Sequence, residues 1–435
     1  MRFRVSLCTR RGSGPSPPPR SGNAIGWLIV VAMWLCPCAA RAQLTESVLA
    51  TGQYVYDSNV FDLQRGFATS PNDYSLADHY YEYGAGLNLN EQISQQNLFL
   101  KGTDSHYDYA HFSQLTHNEY NLDGGWLWKI AQVLNGSLEV TRTHTMVPFT
   151  EIISVALSLE TDQREQASAA LRITPRWGID TNAYTETVDE PLPTLGAPNL
   201  KYSDAGGGAT LRYQGTAAWQ GNLNVAYQHG SFSGASAAGA LGSFGPAYTQ
   251  WTGTLGTSYA PSGPGGLSTF DFAIGRTKRS SPFGLQNFSG TTGHLDYTRK
   301  LTGKTTVSLA VQRDISTFIA NAGATLSDSA SLSATWQATY KTGFNLGYNY
   351  VYVDLPFQGV NDTDRLDHLQ FASFAINYQA LPWMAVRPFA DYQTRTSNLF
   401  GANFNASLFG VSVLMQWPKV SGPAPQPTMP AGTAY

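Results

Sequence analysis

Apolar and polar residues alternate at two-residue spacing along most of this chain, and almost nowhere at helical spacing. The segment ending at Trp417 shows it best. Phe409, Val411, Val413, Met415 and Trp417 recur at every second position, with Gly410, Ser412 and Gln416 among the residues between them. An extended strand points successive side chains to opposite faces, so this spacing builds an apolar face that ends in an aromatic ring. In the same way Tyr120, Leu122, Gly124, Trp126 and Trp128 oppose Glu119, Asn121, Asp123 and Gly125. Phe344, Leu346, Tyr348, Tyr350 and Tyr352 oppose Asn345, Gly347 and Asn349, while Val307, Leu309 and Val311 oppose Thr306, Ser308 and Gln312.

Eighteen segments read as strands, near residues 46–56, 80–90, 94–104, 117–128, 132–143, 163–174, 177–188, 202–214, 219–230, 247–260, 267–277, 288–300, 303–314, 327–340, 343–353, 366–379, 382–394 and 404–417. Most are long enough for a tilted strand to cross a bilayer. The segments 366–379 and 382–394 alternate poorly. Connections alternate between short ones, such as Gln92-Ile93, Pro175-Arg176 and Leu301-Thr302, and long ones rich in Asp, Asn, Ser, Gly and Pro. Asp57–His79, His144–Asp162 and Asp189–Lys201 are examples of the long kind. The pattern predicts an all-β fold: a transmembrane antiparallel β-barrel of about 18 strands (roughly 16–20), with short periplasmic turns and long outer loops. A soluble β-sandwich also alternates, but it packs its apolar faces together and has no need of Tyr and Trp near strand ends.

The start of the chain reads as an export signal. Arg2, Arg4, Arg10, Arg11 and Arg20 precede an apolar run from Ala24 to Cys38, and Ala40-Arg41-Ala42 follows. A basic region, an apolar region and a small-residue site in that order describe a signal peptide, residues 1–42, cut after Ala42. Residues 43–417 then form the barrel, and the proline-rich 418–435 reads as a disordered tail. All three cysteines, Cys8, Cys36 and Cys38, fall in the leader, so the exported part carries no disulfide or thiolate chemistry. Six of the 27 basic residues also lie there, leaving 21 against 30 carboxylates and a net charge of −9. That balance argues against nucleic acid as a partner. Only 13% of residues are charged, which is low for a soluble domain and suits a wall facing lipid.

A barrel of this size leaves an interior too wide for side chains to fill. Glu119, Asp123, Glu139, Asp271 and Asp296 are expected to line it, along with Arg164, Arg172, Arg212 and Lys101. Charges of both signs create a field across a lumen or, alternatively, pair and stiffen the wall. One stretch collects imidazoles and carboxylates in what reads as an outer loop: Asp104, His106, Asp108 and His111, with His117 further on. Its spacing matches no ligand or catalytic motif, so no enzyme activity, metal or cofactor is expected.

The exit of the first strand reads Tyr54-Val55-Tyr56-Asp57-Ser58-Asn59-Val60-Phe61-Asp62-Leu63. Tyr56, Asp57, Ser58, Asn59 and Phe61 resemble the opening of the EpsL-type outer-membrane proteins associated with exopolysaccharide biosynthesis and exosortase systems. The motif departs from that family at Asp62, where a basic residue is expected before Leu63. Read from the residues alone, Asp57, Ser58 and Asn59 are turn-formers able to bond their own backbone. The resemblance implies an outer-membrane channel that assists export or assembly of an extracellular polysaccharide. Its partners would be lipid, the polymer, and periplasmic or inner-membrane export components. A general or selective solute porin, or a non-conducting surface or adhesion barrel, fits the same wall.

Overall fold

A computed structural model of the chain describes residues 43–64, 66, 75–151, 154–191, 200–233, 247–261, 266–282, 287–318, 323–355 and 364–418. Residues 1–42, read above as a signal peptide, and those beyond Pro418, read as a tail, lie outside these residues. The described residues form eighteen strands. In order they are β1 Gln43–Asp57, β2 Asp78–Ile93, β3 Gln96–Tyr109, β4 His117–Ile130, β5 Leu134–Met146 and β6 Leu159–Arg172. There follow β7 Trp177–Glu190, β8 Leu200–Gln214, β9 Trp219–Ser233, β10 Ala247–Tyr259, β11 Ser268–Ser280 and β12 Phe288–Lys300. The last six are β13 Thr305–Phe318, β14 Gly323–Gln337, β15 Thr342–Leu355, β16 Arg365–Leu381, β17 Met384–Ser397 and β18 Phe404–Trp417.

Each strand pairs antiparallel with its sequence neighbours, and β1 pairs with β18 from Val48↔Trp417 to Asp57↔Leu408. That last pairing closes the sheet into a barrel with no free edge. Hydrocarbon offers a backbone N–H or C=O no partner, so a spanning sheet has to close. The fold expected from the alternation is the fold observed.

The register assigns the two faces. Leu122, Leu255, Leu346 and Phe409 point outward and are 47%, 64%, 58% and 53% exposed, values tolerable only against lipid. Rings flank this apolar band at both ends. Trp177 contacts Tyr213 at 4.7 Å and Trp336 stacks on Phe344 at 5.2 Å near the short turns. Tyr54 meets Tyr81 at 5.3 Å and Tyr227 meets Trp251 at 4.7 Å near the long loops. The opposite, inner face carries Asn88, Asn121, Asn222, Ser308, Ser331 and Asn345. Within the Gly206-Gly207-Gly208 run, a Cβ on Gly206 would lie 2.8 Å from the Tyr184 ring, so this glycine makes room for an aromatic side chain on the next strand.

Boundaries moved where strands outrun the bilayer. The segment expected to end at residue 104 continues to Tyr109, and the one expected to end at 394 continues to Ser397. The β2–β3 turn falls at Ser94, whose φ of 57° puts it in the left-handed region, so Gln92-Ile93 belong to β2. The weak alternation near 366–394 has a cause: β16 spans 17 residues and its register with β17 shifts between Gln379 and Leu381. A bulge of this kind breaks the two-residue period.

Leu346 lies between Phe344 and Tyr350 on the lipid face, whereas Asn345 faces the interior. Leu346→Arg should cost about 2–4 kcal/mol in reversible unfolding from lipid vesicles, the cost of a guanidinium within the apolar band. Asn345→Arg, one residue away, should change that stability by well under half as much.

Candidate functional site

Glu119, Asp123, Glu139, Arg164, Arg172, Arg212, Asp271 and Asp296 all sit on strand positions opposite the lipid face. Most of their partners come from adjacent strands. Asp123 meets Lys101 at 3.6 Å, Arg164 meets Glu186 at 2.9 Å and Arg212 meets Asp180 at 2.8 Å. Glu119 accepts from the Met146 N–H at 2.8 Å and lies 3.1 Å from His117 Nε2, while Glu139 accepts from Gln166 at 2.7 Å. Asp271 lies 2.8 Å from the His294 imidazole, and Asp296 lies 4.0 Å from it. Lys101, Arg164 and Arg212 are thus each neutralised by a next-strand carboxylate, rather than being separated from it across the interior. Carboxylates outnumber basic side chains on the inner face as a whole.

The inner wall is graded along the barrel axis. Toward the short turns it is polar and half-buried. Toward the long loops it is packed in three places. The first cluster joins Val55, Tyr80 and Tyr109 from strand ends to Val60, Phe61, Phe112, Leu115, Val147 and Phe149 from connecting loops. Phe61 is its centre, fully buried and edge-on to Phe112 at 4.7 Å and to Phe149 at 5.1 Å. Arg395 on β17 reaches this cluster from the far side of the β1–β18 seam. Its guanidinium donates to the carbonyls of Thr150, Ala402 and Asp62 and lies 4.8 Å from the Phe404 ring.

The second cluster comprises Val188, Leu200, Tyr202, Phe232 and Tyr248. Tyr248 shares hydrogen bonds with the Tyr202 hydroxyl at 2.7 Å and the Thr317 hydroxyl at 3.0 Å, and its ring carries the Arg279 guanidinium at 4.0 Å. Arg279 also donates to Gln250 at 2.8 Å and to the Ser316 carbonyl at 3.2 Å, so β11 is tied to β13 across the bore side of β12. The third cluster is Val351, Val353 and Leu355 with Leu369, beside a buried Arg365–Asp367 pair at 2.6 Å. Sequence reading missed Arg279 and Arg395 entirely. Neither carries a local signal, because their partners lie up to 333 residues away.

The motif at the end of β1 builds the first cluster and fastens the seam. Tyr56 faces outward and is 40% exposed. Asp57 accepts from the Asn59 N–H at 2.8 Å, an Asx turn that swings the chain inward. Ser58 and Ser407 exchange bonds across the seam: the Ser58 N–H donates to the Ser407 carbonyl at 3.1 Å, and the Ser407 N–H donates to the Ser58 hydroxyl at 2.8 Å. The Asn59 amide donates to the carbonyls of Leu63 at 2.9 Å and Asn405 at 3.1 Å. Asp62 takes a left-handed φ of 50°, which aspartate tolerates, and accepts from Gln393 at 2.8 Å. Burial, then the charge of Asp57, push the Asp62 carboxyl well above the usual range, although Arg395 and Gln393 pull the other way.

The imidazole-rich stretch does not converge. Asp104 to Tyr109 form part of β3 rather than a loop, so neighbours alternate between faces. His106 faces outward, 2.5 Å from Asn118 across the strand, whereas His117 faces inward against the Leu115 carbonyl at 2.6 Å and Glu119. His111 lies beyond the strand, its backbone N–H donating to Asp78 at 2.9 Å.

No protein-family profile and no curated protein matches the chain. Among solved structures, it is similar to OpdK of Pseudomonas aeruginosa, crystallised with vanillate, at 10% identity and a TM-score of 0.46, over 86% of this chain and 99% of that one. It is also similar to the FrpB iron transporter of Neisseria meningitidis, at 8% identity and 0.47, over 81% of this chain and 62% of the transporter. A mutant of the ferric enterobactin receptor PfeA of Pseudomonas aeruginosa matches at 7% and 0.45, over 85% of this chain and 80% of the receptor. At such identities nothing about a solute follows from the likeness.

Two outcomes test this geometry. Asn59→Ala removes the side chain that satisfies three backbone groups and should cost about 1–3 kcal/mol in unfolding stability. Glu151, in the β5–β6 loop beside Thr150, is pushed up to about 7 by burial first and by Glu160 second. Its neutral form fits the folded loop, so stability is fully present below its ordinary 4.5 and is lost as pH rises to about 7. Proteolysis of this loop should therefore speed up between those values and level off above them, and Glu151→Gln should flatten the profile.

Proposed function

We propose that this protein is an outer-membrane channel for small hydrated solutes, selective for cations, whose outer mouth is narrowed by its own inward-packed loops. The excess of carboxylates on a polar inner wall carries the reading. Lys101, Arg164, Arg212 and Arg365 there are held by carboxylates, and the remaining negative charge raises the local concentration of cations. The wide bore of an 18-strand barrel leaves room for water wherever loops do not fill it.

Polysaccharide passage, implied by the resemblance of the β1 motif, draws no support from this geometry. The motif's side chains are engaged in the seam and the first cluster. A polymer path also needs aromatic faces along the bore. Rings do stand on the inner face at Phe99, Tyr184, Phe371 and Phe389, but cations cover two of them, Lys101 over Phe99 at 5.0 Å and Arg164 over Tyr184 at 4.2 Å, and Tyr80, Tyr109, Tyr202 and Tyr248 are buried in the clusters. No observation favours that second reading.

Purified protein in planar bilayers under a potassium chloride gradient tests the proposal. The expected result is a small conductance with a cation-selective reversal potential. Arg395→Ala, which frees the loops at Thr150 and Asp62, should raise it severalfold. Anion selectivity would sink the charge argument, and silence in both proteins would point to a structural barrel.

A further inference from the structure

Three inner-face side chains meet on β11 and β12, nearer the β12–β13 turn than the long-loop ends. Asp271 and Asp296 are directly opposite in the register, and His294 stands two residues before Asp296 on the same face. The Asp271, His294 and Asp296 ligand atoms all lie within 4.8 Å of one another. Two like charges at directly opposed positions destabilise a sheet. Elsewhere on the wall, Asp123, Asp180, Glu186 and Asp367 each have an ammonium or guanidinium partner. Among the described residues, the one ionisable partner of Asp271 and Asp296 is the His294 imidazole. The pair lacks a counter-charge, and the group between the two carboxylates is a metal-binding one.

We infer that Asp271, His294 and Asp296 form a divalent transition-metal site in the barrel wall, with zinc as the representative ion. Donor chemistry sets the class. Imidazole nitrogen with two carboxylate oxygens suits zinc and its neighbours, whereas calcium and magnesium prefer oxygen alone. Ligand atoms around a tetrahedral zinc sit roughly 3.3 Å apart at ordinary bond lengths. His294 Nε2 stands 2.8 Å from Asp271 and 4.0 Å from Asp296, so the observed spacings bracket that value. The imidazole would carry its proton on Nδ1 and present Nε2 to the ion, which replaces the hydrogen now shared with Asp271. The Ser258 hydroxyl donates to the other oxygen of Asp271 and orients that carboxylate, as outer-shell partners of metal ligands do. All three side chains are 40–55% exposed, leaving the remaining coordination positions to water. No sequence motif announces the site, because residues 271 and 294 meet only through the β11–β12 register.

Calorimetric titration of zinc chloride into the metal-stripped, detergent-purified chain tests the inference without reference to conduction. One saturable site per chain is expected, not displaced by equal calcium or magnesium. His294→Ala and Asp296→Asn should each weaken it by roughly tenfold or more. Gln312→Ala, on the strand beside His294, should leave it unchanged and controls for folding. Absence of saturable binding in the wild type, or affinity unaltered in both site variants, would overturn the site. Zinc block of conductance, relieved by His294→Ala, would place the ion in a conducting path. Binding without conductance would uphold the site and defeat the channel.

Discussion

Every feature of this molecule depends on backbone hydrogen bonding in a medium that supplies none. An unpaired peptide group in hydrocarbon costs several kcal/mol, so a spanning sheet has to return its last strand to its first. Here the closing pair is β1 with β18, and the seam is fastened at the long-loop end by Ser58, Asn59, Asn405 and Ser407. Once the ring is closed, alternation leaves one face to lipid and the other to an enclosed space. Polarity of that space follows without further instruction.

The enclosed space creates its own problem, since a bore of this width cannot be filled by wall residues. Among the described residues, side chains and loops pack across its long-loop end. Loops from β1–β2, β3–β4 and β5–β6 pack around Phe61, while Arg279 and Arg395 act as buried cations whose partners are carbonyls, a side-chain amide and aromatic faces. A guanidinium suits this role because its several donors satisfy several backbone acceptors from one position. Toward the short turns the wall keeps its asparagines, serines and locally paired charges. The functional reading rests on that gradient: a wetted, acidic stretch leading to a constricted mouth.

The barrel was legible in the sequence because the pleat imposes a period of two and lipid punishes exceptions. Leu122 against Asp123 and Leu346 against Asn345 are sorted by that rule alone, and so are the eight inner-face charges. Legibility stopped where strand residues serve tertiary ends. Asp104 to Asp108 looked like a loop rich in imidazole and carboxylate, yet they continue β3 past the bilayer, where polar residues no longer mark a strand's end. The bulge near Gln379 hid the period of β16. The motif after Tyr56 suggested a family, and its side chains turned out to hold a seam.

Alternation, an approximate strand number, the face of residues in regular strands and the acidity of the interior belong to the sequence, because each is set by local stereochemistry acting on a two-residue repeat. The pairing of Asp271 with His294 and Asp296, the reach of Arg395 to Thr150, and the packing of loop residues around Phe61 were decided only by the tertiary structure. Those contacts depend on register and ring closure, which bring together residues that no local pattern connects.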